Sequence, residues 1–354
     1  MNQEDYYQER RSDYDVTNSV QVSSPAAVRH AVAEIFGALY PHASFDPLCL
    51  AFLDFERFFR GLDPRYHGVD TAYHDLQHTL DMTLALARLI AGYERSVAAD
   101  DRLGSERATL GLITALFHDS GYLRHRELDG GSANGAEFTL THVSRSATFL
   151  RDYLPTIGLE RYVPIATQIV HFTGYELSLD SIELDEPKDS TIGHLLGTAD
   201  LIAQMADRCY LEKCRDRLFA EFVLAGIAIE TGPGGTIVRY RSGRDLLAKT
   251  LTFYEKSARE RLEHSFNRAF RYLETYFEDE NPYVIFIKKN LDHLTHVIET
   301  SQWEELRRRP PCFVPDPRGE ARITALALKH IQSLAAADKI ALKGKREPTP
   351  VYAS

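Results

Sequence analysis

The sequence predicts an all-α fold, on three observations. From Pro25 onward, apolar residues recur at three- and four-residue spacing almost without interruption, the period of a helix with one buried face. No stretch shows the βαβ alternation of a parallel sheet, and no repeat of fixed period occurs. Only "ETGPGGTIVRYRSG" (230–243) combines turn residues with β-branched flanks, as a short hairpin would.

The elements follow in order. Residues 1–24 lack apolar periodicity and are expected to be disordered. "AAVRHAVAEIFGALY" (26–40) and "LCLAFLDFERFFRGL" (48–62) then read as amphipathic helices, as do 75–98 and 106–118. The stretch "RHRELDGGSANGAEF" (124–138) carries Gly130, Gly131, Asn134 and Gly135 and reads as a loop. Helical patterns resume at 141–154, 158–172 and 191–228, with the acidic, turn-like "LSLDSIELDEPKDS" (177–190) between the last two. Beyond the hairpin, "RDLLAKTLTFYEKSARERLEHSFNRAFRYLETYF" (244–277) reads as one long charged helix. Two or three further helices precede a polar tail at 344–354.

Bulk composition narrows the function classes. Hydrophobic residues make up 44% of the 354 and charged residues 26%, ordinary for a globular chain. A formal net charge of −10 argues against a nucleic-acid polymer or an anionic membrane as partner, while leaving room for a small phosphorylated ligand. No apolar run reaches the length of a membrane span. The start does not resemble a signal peptide, and the four cysteines form no CxxC pair. A cytoplasmic location with reduced thiols is expected.

The chemistry concentrates in one ordered set of residues. His74 and His78 stand one helical turn apart in "TAYHDLQHTLDMTLALARL" (71–89), so both imidazoles share a face. His118 and Asp119 end the apolar run "LGLITALFHDSGY", followed by His142, His171 and Asp200 in further apolar segments. A polar group in such a context needs a partner to be buried cheaply. Imidazole nitrogens together with carboxylate oxygens suit zinc, iron, manganese or, less well, magnesium.

The order His…His-Asp…Asp resembles the HD superfamily of metal-dependent phosphohydrolases. The start "YHDLQH" is similar to the cyclic-nucleotide phosphodiesterase branch, "HDSGY" to the His-Asp step, and "ADLIAQMADR" to the closing Asp helix. The interposed His142 and His171 are similar to the two-metal subgroup. The resemblance spans roughly residues 50 to 220. It implies an HD-domain-like helical bundle at 25–230 with a C-terminal helical extension (231–343) packed on it.

It further implies two divalent ions (manganese, magnesium, zinc or iron). His78, His118, Asp119 and Asp200 would hold the first, Asp119 would bridge, and His142 with His171 would complete the second. His74 falls where the phosphodiesterases keep the histidine that protonates the leaving oxygen, which makes His74 and Asp119 the expected catalytic pair. The implied activity is hydrolysis of a phosphomonoester or phosphodiester of a nucleotide-like molecule. The phosphodiesterases continue HDxDHPG, whereas this chain places Tyr122 where a histidine would stand. The same ligand set also serves a di-iron oxygenase branch of the inositol-oxygenase type, and a non-catalytic regulatory module is a third reading.

Secondary candidates remain open on sequence alone. Arg145, three residues after His142, and Arg124 in the loop either reach a substrate phosphate or pair with surface carboxylates. Glu137 and Asp81 are candidates for orienting ligand histidines. The C-terminal helices either wrap the bundle or support a homodimer.

Overall fold

The computed structural model describes residues 10–232 and 235–341. Its centre is helix α3 (Leu76–Ser96), in which every residue from Leu76 to Glu94 is buried. A helix covered on all sides is surrounded rather than laid on a surface. Asp75 caps it by accepting the His78 N–H at 3.1 Å.

Around α3 pack α1 (Pro25–Leu39), α4 (Gly104–Phe117), α7 (Pro187–Ala206) and α11 (Tyr272–Phe277). Helix α2 (Asp46–Phe59) leans on α4. Helices α5 (His142–Tyr153) and α6 (Val163–Ile169) pair with one another between α4 and α7. The fold is mainly all-α, and the hairpin expected at 230–243 is present as β1 (Ile229–Gly232) against β2 (Gly235–Val238), with Ile229 opposite Val238. No helix among the described residues is long and apolar enough to cross a membrane.

The C-terminal segment shares the main core. Leu246, Leu247, Phe266, Leu273, Tyr283 and Leu294 belong to the same buried cluster as Leu80, Leu84 and Phe117. It comprises α10 (Gly243–Phe253), α11, α12 (Pro282–Thr300) and α13 (Gly319–Ala341). Helix α13 makes a second, smaller cluster with α9 (Phe219–Leu224), through Ile323 and Ala327 on Ala220 and Val223. The expected polar tail at 344–354 lies outside the described residues.

Several sequence expectations need correction. Residues 10–24 are folded, not disordered: Asp15 is fully buried, accepts from Arg88 Nη2 at 2.7 Å, and is flanked by buried Val16 and Val22. Residues 1–9 of that segment lie outside the described residues. The signal missed was a single charge pair across 73 residues, which no periodicity reports.

The run 191–228 is not one helix. It breaks at Asp207, whose backbone is extended and whose carboxylate accepts the Cys209 N–H and pairs with the buried Lys213 ammonium. The chain resumes as α8 (Tyr210–Lys213), a π turn (Cys214–Leu218) and α9. The run 244–277 is likewise divided. Two π turns follow α10, and then Asn267 and Arg268 both take positive φ values, which no helix continues through. The break seats the Phe266 ring against Gly197, where a Cβ would come within 2.6 Å of it.

Candidate metal centre

The local backbone explains how the donors are presented. Helix α4 ends at Phe117, with His118 as its last cap, and Asp119 opens a 3₁₀ turn (Ser120–Tyr122). That turn abuts the start of α5 so closely that a Cβ on Gly121 would lie 1.8 Å from the His142 carbonyl oxygen. Glycine at this position lets Asp119 and His142 approach one another. The contact is tied by the Gly121 N–H donating to Ser146 Oγ at 2.8 Å.

Four buried side chains converge. His78 Nε2 lies 3.4 Å from Asp119 Oδ2 and 3.3 Å from Asp200 Oδ1. His118 Nε2 lies 3.3 Å and 3.8 Å from the same two oxygens. Donor atoms of His78, His118 and Asp119 all fall within 4.8 Å of one another, close enough to share one ion.

Three of these atoms, His118 Nε2, Asp119 Oδ2 and Asp200 Oδ1, are buried without a hydrogen-bond partner. Leaving such groups unpaired costs about 1–3 kcal/mol each, more when they carry charge. A cation among them removes that cost, so the donor set fits a metal ion in number, type and geometry.

The histidines are presented in the tautomer a metal needs. The Ala115 carbonyl accepts from His118 Nδ1 at 2.8 Å, and the Thr139 carbonyl from His142 Nδ1 at 2.7 Å. A carbonyl only accepts, so Nδ1 keeps its proton and Nε2 is the inward-facing atom, which offers its lone pair whenever the ring is neutral. Burial opposes charge on His118, but Asp119 and Asp200 outweigh it and raise the imidazole to about 9. Burial also opposes ionisation of Asp119, yet His118, His74 and His78 hold its carboxyl well below the usual range.

His142 approaches from the other side of Asp119, its Nε2 3.9 Å from Oδ1. Asp119 thus turns one oxygen toward His78 and His118 and the other toward His142. His171, expected beside His142, is buried on the turn Val170–Thr173 with an unpartnered Nδ1, and among the described residues no carboxylate lies within ion-pair distance of its ring. Ion-pair distances link five of the six expected ligands, and His171 is the one they do not include.

His74 sits beside the cluster. Its Nδ1 lies 2.7 Å from Glu221 Oε2, and its ring stacks on Tyr122 at 4.6 Å, with Tyr122 stacking equally on His142. Burial opposes the imidazolium, and Glu221 outweighs burial to raise the His74 pKa. Glu221 itself is fully buried and also accepts the Tyr73 N–H at 2.6 Å.

Sequence reasoning missed Glu221, although a lone acid inside the apolar run "FAEFVLAG" carried a signal. It also missed Glu176, which takes the Val143 and Ser144 N–H groups at the start of α5 and lies 3.8 Å from His142 Nδ1.

Other candidates are committed elsewhere. Arg145 donates to the Gly121 and Leu123 carbonyls and pairs with Asp129, while Arg124 pairs with Asp70 and donates to the Ser132 carbonyl. Neither arginine lines the cleft that opens from the donor cluster. Glu137 completes a capping box with Asn134. Asp81 makes no hydrogen bond to His78; burial, with Asp207 and Asp15 nearby, pushes its carboxyl up to about 8.

The cleft itself encloses about 400 Å³ and is lined at one end by His74, His78, His118, Asp119, His142 and Asp200. No family model, curated protein or solved structure matches the chain.

Proposed function

We propose that this protein is a metal-dependent phosphohydrolase that cleaves a phosphomonoester or phosphodiester of a small molecule. One observation carries the reading: three buried, unpartnered donor atoms of His118, Asp119 and Asp200 converge with His78 Nε2 at the end of an open cleft. The resemblance to the HD superfamily rests on the same residues in the same order.

His78, His118, Asp119 and Asp200 would hold one divalent ion, and the free side of Asp119 with His142 offers part of a second position. The chemistry supplied there is neutralisation of phosphate charge and activation of water near neutral pH.

The chain's own residues supply the remainder. Glu221, an acceptor only when ionised, receives the His74 Nδ1 proton and so leaves Nε2 to carry a second, transferable one. A charged His74 lining the cleft can then protonate a departing alkoxide. Tyr122 stacks on both His74 and His142, its ring 4.6 Å from each, and so braces two imidazoles that lie 6.1 Å apart with planes tilted by 35°. The buried His74–Glu221 pair supports hydrolysis over the oxygenase reading, since a held proton donor serves a leaving oxygen.

The test is elemental analysis of wild-type and Asp119→Ala protein purified without chelator, alongside manganese-supported turnover of p-nitrophenyl phosphate and its diester. We expect bound transition metal and turnover in the wild type and loss of both in the variant. A wild type that takes up no metal on reloading, or that takes it up and cleaves neither ester, sinks the proposal.

A further inference from the structure

The cleft continues far beyond the donor cluster, and its extension has a different character. It runs between α7, the α8–α9 segment and α10, walled by Leu201, Met205, Leu218, Phe222, Ile227 and Leu246. At its mouth stand Leu140, Tyr175 and Phe253, which are 62%, 53% and 40% exposed. Single exposed apolar side chains are common, but three around the entrance of one cavity need an occupant to explain them.

The main polar groups along this extension already make hydrogen bonds within the protein. Gln204 accepts from the Tyr73 hydroxyl at 3.0 Å and donates to the Asp200 carbonyl at 3.2 Å, so each end of its amide already holds one partner. Thr250 Oγ1 donates back to the Leu246 carbonyl. Among the described residues Lys249 is the one lysine or arginine in the lining of this cleft, and it donates to the Arg239 carbonyl and pairs with Asp245. Arg261, outside the lining, donates to the Gly174 carbonyl and lies over the Tyr175 ring at 3.7 Å. A nucleobase would find few uncommitted hydrogen-bonding groups here, and a polyphosphate would meet almost no positive charge.

We infer that the substrate is the phosphate ester of an apolar group, an alkyl chain or an unsubstituted aryl ring, with its phosphate at the donor cluster and its apolar part along Met205, Leu218 and Phe253. This rests on the phosphohydrolase reading for the placement of the phosphate and narrows the substrate away from nucleotides.

The experiment measures binding of methyl, butyl, hexyl and octyl phosphate to manganese-loaded protein by calorimetry, with adenosine 5′-monophosphate as comparison. We expect Kd to tighten by about two- to fourfold per added methylene, from the transfer free energy of a buried CH2 group. Octyl phosphate is expected to bind well ahead of adenosine 5′-monophosphate. Leu218→Gln and the rim variant Phe253→Gln should flatten the series; Phe253 is exposed enough for its variant to fold.

A series that is flat in the wild type, that binds at no length, or that falls behind the nucleotide overturns the inference. Turnover of p-nitrophenyl phosphate on the same preparation separates the two readings. A flat series with turnover removes only the apolar specificity, and a steep series without turnover removes the hydrolase and keeps the apolar site.

Discussion

Metal affinity at this centre should be set by one proton. Ligation through His118 Nε2 requires the neutral ring, whereas Asp119 and Asp200 hold the imidazolium to about 9 in the metal-free protein. At pH 7 only about one molecule in a hundred then offers the lone pair, a cost of roughly 3 kcal/mol against binding. The apparent Kd for manganese should therefore tighten about tenfold between pH 6.5 and 7.5, and tenfold again by pH 8.5. About one proton should leave His118 per ion bound.

Calorimetric titration with Mn2+ in two buffers of different ionisation enthalpy measures both quantities at once. A Kd unchanged across this range, or binding without proton release, would refute the argument that the carboxylates and His118 form a protonated cluster awaiting a cation.

The same shift has a consequence for stability. A histidine raised in the folded state stabilises the fold fully below its unfolded value of about 6.5, and that stabilisation disappears as pH climbs through about 9. Between about pH 6.5 and 9 the metal-free fold loses this stabilisation, whereas the metal-loaded fold, whose His118 is already neutral, has none to lose. The difference in Tm between the two should widen with rising pH.

Two further predictions test other parts of the structure. Glu221→Gln removes the largest charge that raises His74 against its burial, so the imidazole pKa falls. Turnover, which needs the protonated ring, should lose its alkaline limb toward lower pH and drop roughly tenfold or more at pH 7.5 with metal content intact; an unshifted pH–rate profile would remove His74 as the proton donor. Asp15→Ala leaves Arg88 buried with only the Tyr283 hydroxyl at 2.9 Å, and should cost about 3–5 kcal/mol in urea unfolding. Burial opposes the Asp15 charge but Arg88 and Thr17 outweigh it and hold the carboxyl at about 2, so this contribution is present above the ordinary value near 4 and lost as pH falls through about 2. A loss below about 1 kcal/mol would mean that residues 10–24 contribute little to the fold.

What could be read from the chain divides along a physical line. Helical periodicity reports local burial, so α1 to α5 were legible to within a few residues. It does not report where a long helix must bend to admit a ring from elsewhere, and the breaks at Asp207 and Asn267–Arg268 answer to Lys213 and to the seat of Phe266 on Gly197. The donor cluster was legible for a related reason. His78, His118 and Asp200 are polar residues that interrupt apolar faces, and an interruption is itself a local signal.

Their supports are not local. Glu221 reaches His74 across 147 residues and Glu176 reaches the α5 amides across 33, so even where a lone acid in an apolar run marks Glu221 as unusual, nothing nearby says which group it serves. Arg124 and Arg145 show the converse error. Proximity in sequence to the histidines recommended them as phosphate ligands, while Asp70 and Asp129 had already claimed them. The arginines that sequence spacing placed at the site thus brace the loop behind it, and the cleft is left with walls of leucine, methionine and phenylalanine. On the phosphohydrolase reading, a phosphate at this centre would be held by cations on the donor cluster and by His74 rather than by arginines, so discrimination among substrates would fall to the part of the ester that lies along those walls.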